Sequence, residues 1–177
     1  RRFAELAGQL RVGDGFDSAS QMGPLANARR VAAIEELVSD AVALGAKVLN
    51  GGKRLGEKGN FYAPTVLVDA PAEARLLCEE PFGPVAPLLR FTDLEQVIRD
   101  ANSLDYGLAA FAFTASLKTA TELGNRLQSG MVSINHFGLA LPETPFGGIK
   151  ASGHGSEGGS EGLDAYLTTK FISQVGC

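Results

Sequence analysis

Two adjacent carboxylates, Glu79 and Glu80, stand before a proline-rich turn that leads into a predicted strand at Val85. Connections of this kind in α/β proteins often bind ligands. A carboxylate can accept hydrogen bonds from both hydroxyls of a ribose, and an aromatic ring such as that of Phe82 can pack against a planar base. The alternative is that Glu79 and Glu80 form a solvated helix end and that Phe82 belongs to the core. The residues by themselves leave both interpretations open.

The segment Gly153–Gly158 matches the pattern G-x-G-x-x-G, but its context differs from that of a dinucleotide-binding loop. Such a loop follows a buried strand, and an acidic residue that binds the ribose follows ~20 positions later. Here Phe146–Ser152 is not predicted to be a strand, and the sequence stops at Cys177. We therefore do not expect this segment to bind a dinucleotide.

The other reactive side chains do not combine into a catalytic set. Cys78 lies beside Glu79 and Glu80, whose negative charges disfavour a thiolate, so a packing role is predicted. His136 and His154 have no serine or cysteine nucleophile at a recognisable spacing. The two cysteines form no CxxC pair and the histidines no ligand pair, so neither a disulfide framework nor a metal site is expected. A reducing cytoplasm fits this cysteine usage best.

Composition excludes several classes of protein. The 177 residues are 45% hydrophobic and 20% charged, which suits a globular domain with a core rather than a disordered chain. Sixteen Lys plus Arg against 20 Asp plus Glu give a net charge of −4 without long runs of one sign. No nucleic-acid or membrane partner is therefore expected, and no apolar stretch suits a ~20-residue transmembrane helix.

The elements that must position these residues alternate along the chain. Apolar spacing and a terminal glycine predict a helix at Asn27–Gly45, and short apolar runs bounded by turn residues predict strands. The predicted order continues with strands at 47–50 and 61–69, a short helix ending at 78, a strand at 85–91, a helix at 93–102, a strand at 108–114, a helix at 117–127 and a strand at 131–135. Thr92 and Glu95 are predicted to form a capping box. The alternation favours an α/β fold with parallel crossover units.

The last quarter of the chain has a different composition. Residues 136–162 are rich in glycine and hold two prolines, so a shaped loop is predicted there. A short helix is predicted at 161–167. It is followed by a predicted strand, Thr168–Val175, which has no partner close by in the sequence.

Five motifs follow one another in a recognisable order. They are Val12-Gly13-Asp14-Gly15-Phe16-Asp17, Met22-Gly23-Pro24-Leu25, Glu79-Glu80-Pro81-Phe82-Gly83-Pro84-Val85, Tyr106-Gly107-Leu108-Ala109-Ala110, and Pro145-Phe146-Gly147-Gly148-Ile149-Lys150-Ala151-Ser152-Gly153. Together they resemble the C-terminal, catalytic-domain part of the NAD(P)-dependent aldehyde dehydrogenase superfamily, from end to end of the chain. The resemblance implies a parallel, Rossmann-like sheet with crossover helices.

The resemblance also implies roles for individual residues. Glu80 matches the glutamate that holds the nicotinamide ribose of NAD or NADP, and Phe82 matches the aromatic residue that flanks the nicotinamide. Asn135 matches an asparagine that supports the active-site loop. The same substrate or active-site loop contains His136, Phe137, Ala140 and Phe146.

No catalytic residue is expected within the chain. In the family the catalytic cysteine and the glutamate base belong to sequence upstream of Arg1, and this chain begins without Met inside an apolar pattern. We therefore expect a piece of a longer enzyme in which a thiolate attacks an aldehyde, hydride passes to the nicotinamide and water hydrolyses the thioester. The isolated chain is expected to be inactive. The alternative is an autonomous, non-enzymatic module for nucleotide binding or assembly.

For substrate, the chain most resembles the succinate-semialdehyde dehydrogenase branch, with two departures. Ala140 stands where a serine usually holds the carboxylate of the substrate, and Gly155-Ser156-Glu157 stands where Gly-Arg-Glu is frequent. Because alanine cannot hydrogen-bond a carboxylate, a longer or less polar aldehyde also stays open.

The resemblance divides the chain into two parts. Residues 1–162 form a portion of the catalytic domain that ends with the glycine loop, 136–162. Residues 163–177 form a helix end and an oligomerisation strand. An exposed apolar edge strand must be covered, and the resemblance implies that a neighbouring subunit covers it, in a homodimer or homotetramer of the whole enzyme.

Overall fold

The computed structural model describes residues 1–176, and the chain divides into two compact units, Arg1–Arg90 and Phe91–Cys177. The predicted boundary after residue 162 separates a catalytic-domain portion from an oligomerisation segment, and it stays a prediction.

The first unit packs helices against a small three-stranded sheet. Its elements are α1 (Arg2–Gly8), α2 (Ala28–Ala43), β1 (Lys47–Asn50), β2 (Thr65–Val68), a 3₁₀ turn (Arg75–Leu77) and β3 (Val85–Leu88). The strands lie in the order β1-β2-β3, with β1 antiparallel and β3 parallel to β2. The central strand β2 is therefore paired on both edges.

Helix α2 forms where its local signals predict it. The side chain of Asn27 accepts a hydrogen bond from Arg30 N at 3.0 Å and caps the N-terminus. Gly45 ends the helix with a φ of +110°, which a glycine adopts without a steric penalty. The apolar face packs on Tyr62 and Leu67 to form the core of the first unit, together with Val31, Ile34, Leu37, Val38, Ala41, Ala46, Ala70, Ala74 and Leu76. The predicted helix is confirmed.

The second unit contains two short sheets. Its elements are α3 (Leu94–Ala101), β4 (Tyr106–Gly107), β5 (Ala109–Ala112), α4 (Leu117–Arg126), β6 (Met131–Ile134), β7 (Ile149–Lys150) and a 3₁₀ helix (Glu161–Tyr166). Strands β5 and β6 are parallel and joined through α4, which is the predicted crossover. Strands β4 and β7 are antiparallel. The α/β class with parallel strand pairs is confirmed, although the strands of the described residues fall into three small sheets.

Two local predictions are wrong. The cap of α3 is Asp93, whose carboxylate accepts from Glu95 N at 2.9 Å, and not Thr92. The Glu95 carboxylate instead binds the Arg126 guanidinium of α4, because that group offers two parallel donors. Within Phe146–Ser152, where no strand was predicted, Ile149–Lys150 pairs with Tyr106–Gly107.

Two segments near the C-terminus of the second unit were also the subject of predictions. The pattern Gly153–Gly158 follows the two-residue strand β7 and leads into a 3₁₀ helix, whereas a dinucleotide loop leads from a buried strand into an α-helix. Residues 168–176 form neither helix nor strand in the chain by itself. Pairing of Thr168–Val175 outside its own unit stays a prediction.

Among the described helices, none combines the length and the apolar character needed to cross a bilayer.

Candidate functional site

The two carboxylates that precede the first candidate turn have different environments. Glu79 is bound by the guanidinium of Arg75, with Nε 2.6 Å from Oε1 and Nη2 3.1 Å from Oε2. This hydrogen bond lowers the pKa of Glu79. Glu80 is exposed and makes no hydrogen bond or ion pair with the described residues. Of the two carboxylates, Glu80 is therefore the one available to a ligand.

Phe82 does not lie in the core, so the part of the alternative that placed it there is wrong. Its side chain is 70% exposed, and its backbone has a φ of +41°. A bulky residue rarely adopts this left-handed conformation, and such strain is found preferentially at functional sites. The backbone beyond it is held by two hydrogen bonds, from Val85 N to Gly83 O at 2.8 Å and from Thr65 N to Pro84 O at 2.7 Å. The turn therefore presents an exposed aromatic ring two residues after a free carboxylate.

In the second unit, Asn135 is tied to the end of strand β5. Its backbone N donates to Ala112 O at 2.8 Å. Its side-chain Oδ1 accepts from Thr114 N at 2.8 Å, and its Nδ2 donates to Thr114 O at 2.9 Å. Asn135 adopts a φ of +63°, which asparagine tolerates better than most residues. The side chain thus continues the β5–β6 hydrogen-bond ladder where the backbone leaves it.

The next residues are held in a tight turn. The hydroxyl of Ser133, which is only 1% exposed, donates to the carbonyl of His136 at 2.6 Å. The backbone N of Gly138 donates to His136 Nδ1 at 3.1 Å. A nitrogen that accepts a hydrogen bond carries no proton, so the neutral ring carries its proton on Nε2. His136 therefore presents an N–H donor on its exposed side.

Phe137 belongs to an exposed aromatic cluster that the sequence analysis did not identify. Its ring centroid lies 5.7 Å from that of Phe111 and 5.3 Å from that of Phe113, both in tilted orientations. All three side chains are exposed, Phe137 to 76%. The signal was present in the sequence, because residues two apart on a strand share one face. The sequence did not show that the chain turns back and brings Phe137 to the same face.

The remaining loop residues lie apart from this cluster. Ala140 is exposed and offers no hydrogen-bonding side chain. Phe146 pairs with Glu157 through two backbone hydrogen bonds of 2.7 and 2.8 Å. It also lines a cavity of about 330 Å³ within the glycine loop, together with His154, Ser156, Glu157 and Tyr166. Glycine at position 147 allows this packing, because a Cβ there would lie 2.5 Å from Gly155 O.

The structure thus brings the predicted site residues together in separate groups. Glu80 and Phe82 share one turn of the first unit. Asn135, His136 and Phe137 share one turn of the second. Cys78 is an exposed free thiol, so the predicted packing role is wrong. Among the residues that the structure describes, no three His, Cys, Asp or Glu side chains form a cluster that could hold a metal ion.

The comparisons with known proteins agree with one another. The model of the "Aldehyde dehydrogenase family" matches residues 1–172. The chain is 47% identical over 166 residues to 4-(hydroxymethyl)benzenesulfonate dehydrogenase TsaD1 of Comamonas testosteroni, covering 94% of this chain and 34% of that protein. It is 45% identical over 175 residues to succinate-semialdehyde dehydrogenase [NADP(+)] GabD of Escherichia coli K12, covering 97% and 36%.

Solved structures give the same result for the fold. An Escherichia coli NADP-dependent enzyme superposes with a TM-score of 0.90 at 44% identity, over 94% of this chain and 36% of that one. The NAD⁺ complex of an aldehyde dehydrogenase from Bacillus cereus superposes with a TM-score of 0.90 at 38% identity, over 93% and 34%. The chain spans about a third of the length of these relatives.

Proposed function

The chain belongs to the aldehyde dehydrogenase family, and on that premise we propose that it forms part of an enzyme that oxidises an aldehyde to the carboxylic acid with NAD or NADP. When bound, the nicotinamide would supply the acceptor for the hydride that the oxidation releases. Within this chain, Glu80 would accept hydrogen bonds from the ribose next to the nicotinamide, and Phe82 would flank the nicotinamide ring.

One observation supports this assignment more than any other. Arg75 binds Glu79, whereas the neighbouring Glu80 is free and exposed. Two residues later the side chain of Phe82 is exposed and its backbone is strained. A solvated helix end would also leave Glu80 free, but it would not require the strained backbone of Phe82. The residues present therefore fit a nicotinamide riboside.

For the substrate we propose a semialdehyde or a related aldehyde with an anionic group at its far end. Relatives named as succinate-semialdehyde, glutarate-semialdehyde and 4-(hydroxymethyl)benzenesulfonate dehydrogenases support this class. Ala140 supplies no donor to such a group, but the exposed N–H of His136 lies in the same loop. The aromatic cluster around Phe137 favours the sulfonate-type, aromatic member as a second candidate.

The test is turnover by the full-length protein. Succinate semialdehyde, glutarate semialdehyde, 4-formylbenzenesulfonate and propanal are each supplied with NAD⁺ or NADP⁺, and the reduced nicotinamide is followed by its absorbance. We expect oxidation of the anionic aldehydes in preference to propanal. Absence of turnover with every aldehyde would favour the alternative, a non-enzymatic nucleotide-binding or assembly module.

The 177-residue chain alone is the natural control. We expect no turnover from it, because its relatives extend far beyond the matched residues. Activity of the chain alone that Cys78→Ala abolishes would contradict this.

We further propose that the enzyme is cytoplasmic and assembles as a homodimer or homotetramer through Thr168–Val175.

A further inference from the structure

The turn Glu80–Val85 rests directly on the core of the first unit at Gly83. A Cβ built on Gly83 would lie 2.8 Å from Ile34 Cδ1 and 3.0 Å from Ile34 Cγ1. Real side chains avoid such distances. Because Ile34 is fully buried, it has little room to move aside. The absence of a side chain at residue 83 is therefore what allows the turn to sit on α2.

This contact lies next to the strained residue. Phe82 adopts a φ of +41°, and a strained conformation persists only when its surroundings hold it. Prolines on both sides restrict the backbone, and the hydrogen bond from Thr65 N to Pro84 O joins the turn to β2. Ile34 limits the movement of Gly83 toward the core, because its Cδ1 and Cγ1 are the atoms nearest to a Cβ at residue 83, followed by Leu25 Cδ2 at 3.3 Å.

We propose that Ile34 is a positioning residue that acts through Gly83: it holds Phe82 in its left-handed conformation and so directs the aromatic ring and the Glu80 carboxylate toward a nicotinamide. The cofactor part of this statement rests on the proposed function. The statement that Ile34 holds the conformation of Phe82 concerns only the turn. It can therefore fail or hold independently of the cofactor assignment.

The chain contains no tryptophan, so Phe82→Trp introduces a single fluorescent reporter into the turn. In this background Ile34→Ala is compared with Leu37→Ala, a control on the same helix that is equally part of the core. Acrylamide quenching and anisotropy are measured under conditions where both variants are folded. We expect Ile34→Ala to raise the quenching constant about twofold, because the turn loosens locally, and Leu37→Ala to leave it unchanged.

A second pair of variants tests the contact itself and does not require Ile34→Ala to fold. Gly83→Ala should disturb the reporter, because the new methyl group meets Ile34 Cδ1. Adding Ile34→Val removes Cδ1 and should return the quenching constant toward that of the reporter background. Equal quenching in Ile34→Ala and Leu37→Ala, or a double variant no better than Gly83→Ala, would overturn the proposal. No nucleotide is present, so either result is independent of the cofactor assignment.

Discussion

The side-chain amide of Asn135 binds both backbone groups of Thr114, accepting from its N–H at 2.8 Å and donating to its carbonyl at 2.9 Å. The amide thereby takes the place of a β-ladder partner just beyond the parallel pair β5–β6. Because Asn135 has a positive φ, the chain can turn away into the His136 loop while its side chain still holds the strand end. One residue thus ends the strand and begins the candidate substrate loop.

Asn135→Ala should therefore destabilise the second unit by about 2 kcal/mol, because it removes two hydrogen bonds and leaves a β-carbon in a left-handed backbone without compensation. Urea unfolding and hydrogen exchange of the Thr114 amide are the measurements. Asn135→Gly is the control: it keeps the backbone conformation and loses only the hydrogen bonds, so its loss should be smaller. If both variants were as stable as the parent, the two hydrogen bonds between the Asn135 side chain and Thr114 would not stabilise the unit.

Glu80→Gln in the full-length protein should slow hydride transfer about tenfold, because a ribose hydroxyl loses its charged acceptor and the nicotinamide is held less well. Stopped-flow formation of the reduced nicotinamide gives the rate. Glu79→Gln is the matched control, since Glu79 is already occupied by Arg75, and it should have little effect. An unchanged transient rate and cofactor affinity in Glu80→Gln would return Glu80 to a solvated helix end.

Two glycine-to-alanine variants should act in opposite directions. At Gly130 the new methyl group would lie 2.0 Å from the carbonyl oxygen of Gly147, so we expect a loss of about 3 kcal/mol or more. At Gly124, in α4, nothing lies within 4 Å, so a gain of about 0.5–1 kcal/mol follows from helix propensity. Thermal unfolding followed by circular dichroism tests both, and equal shifts would contradict the close approach at Gly130.

Tyr62 should make stability depend on pH in the alkaline range. Burial, aided by the charge of Glu35, raises the pKa of Tyr62 to about 12, whereas an unfolded tyrosine titrates near ~10. Between these values the unfolded state loses a proton that the native state keeps. This contribution to stability is therefore fully present below pH ~10 and is lost as the pH rises toward about 12.

Tyr62→Phe should remove that dependence. The Tyr62 hydroxyl is buried and has no hydrogen-bond partner among the described residues, so its removal should also raise stability at neutral pH by about 1 kcal/mol. Urea unfolding of the parent and the variant across the alkaline range is the measurement. A parallel decline in both proteins would show that Tyr62 does not cause the loss.

Deletion of residues 168–177 from the full-length protein should yield monomer or aggregate. Phe171, Ile172 and Val175 are exposed in the chain by itself, and an apolar strand without a partner is an aggregation hazard. Light scattering measures the size of the particle. A truncated protein that keeps the oligomer of the parent would falsify the assignment.

Several features followed from the sequence because their causes are local. The apolar spacing of α2, its Asn27 cap and the glycine that ends it all act within one or two turns of helix. The strand Lys47–Asn50 and the crossover through α4 were also predictable from short runs and turn residues. Glu80 and Phe82 became candidates because an acid and an aromatic residue stood together before a strand.

Other features depended on which distant segments meet. Glu95 pairs with Arg126 rather than with the start of its own helix, because α4 brings a two-donor group to it. Strand β7 exists only through its pairing with Tyr106–Gly107. Exposure of Phe82 is set by the contact of Gly83 with Ile34. The aromatic cluster forms because the hydrogen bonds of the Asn135 side chain to Thr114 return Phe137 to the face of β5. Local propensity acts over a few residues, whereas these contacts arise from tertiary packing, and that is why the sequence determined the elements and the tertiary structure decided how the site is held.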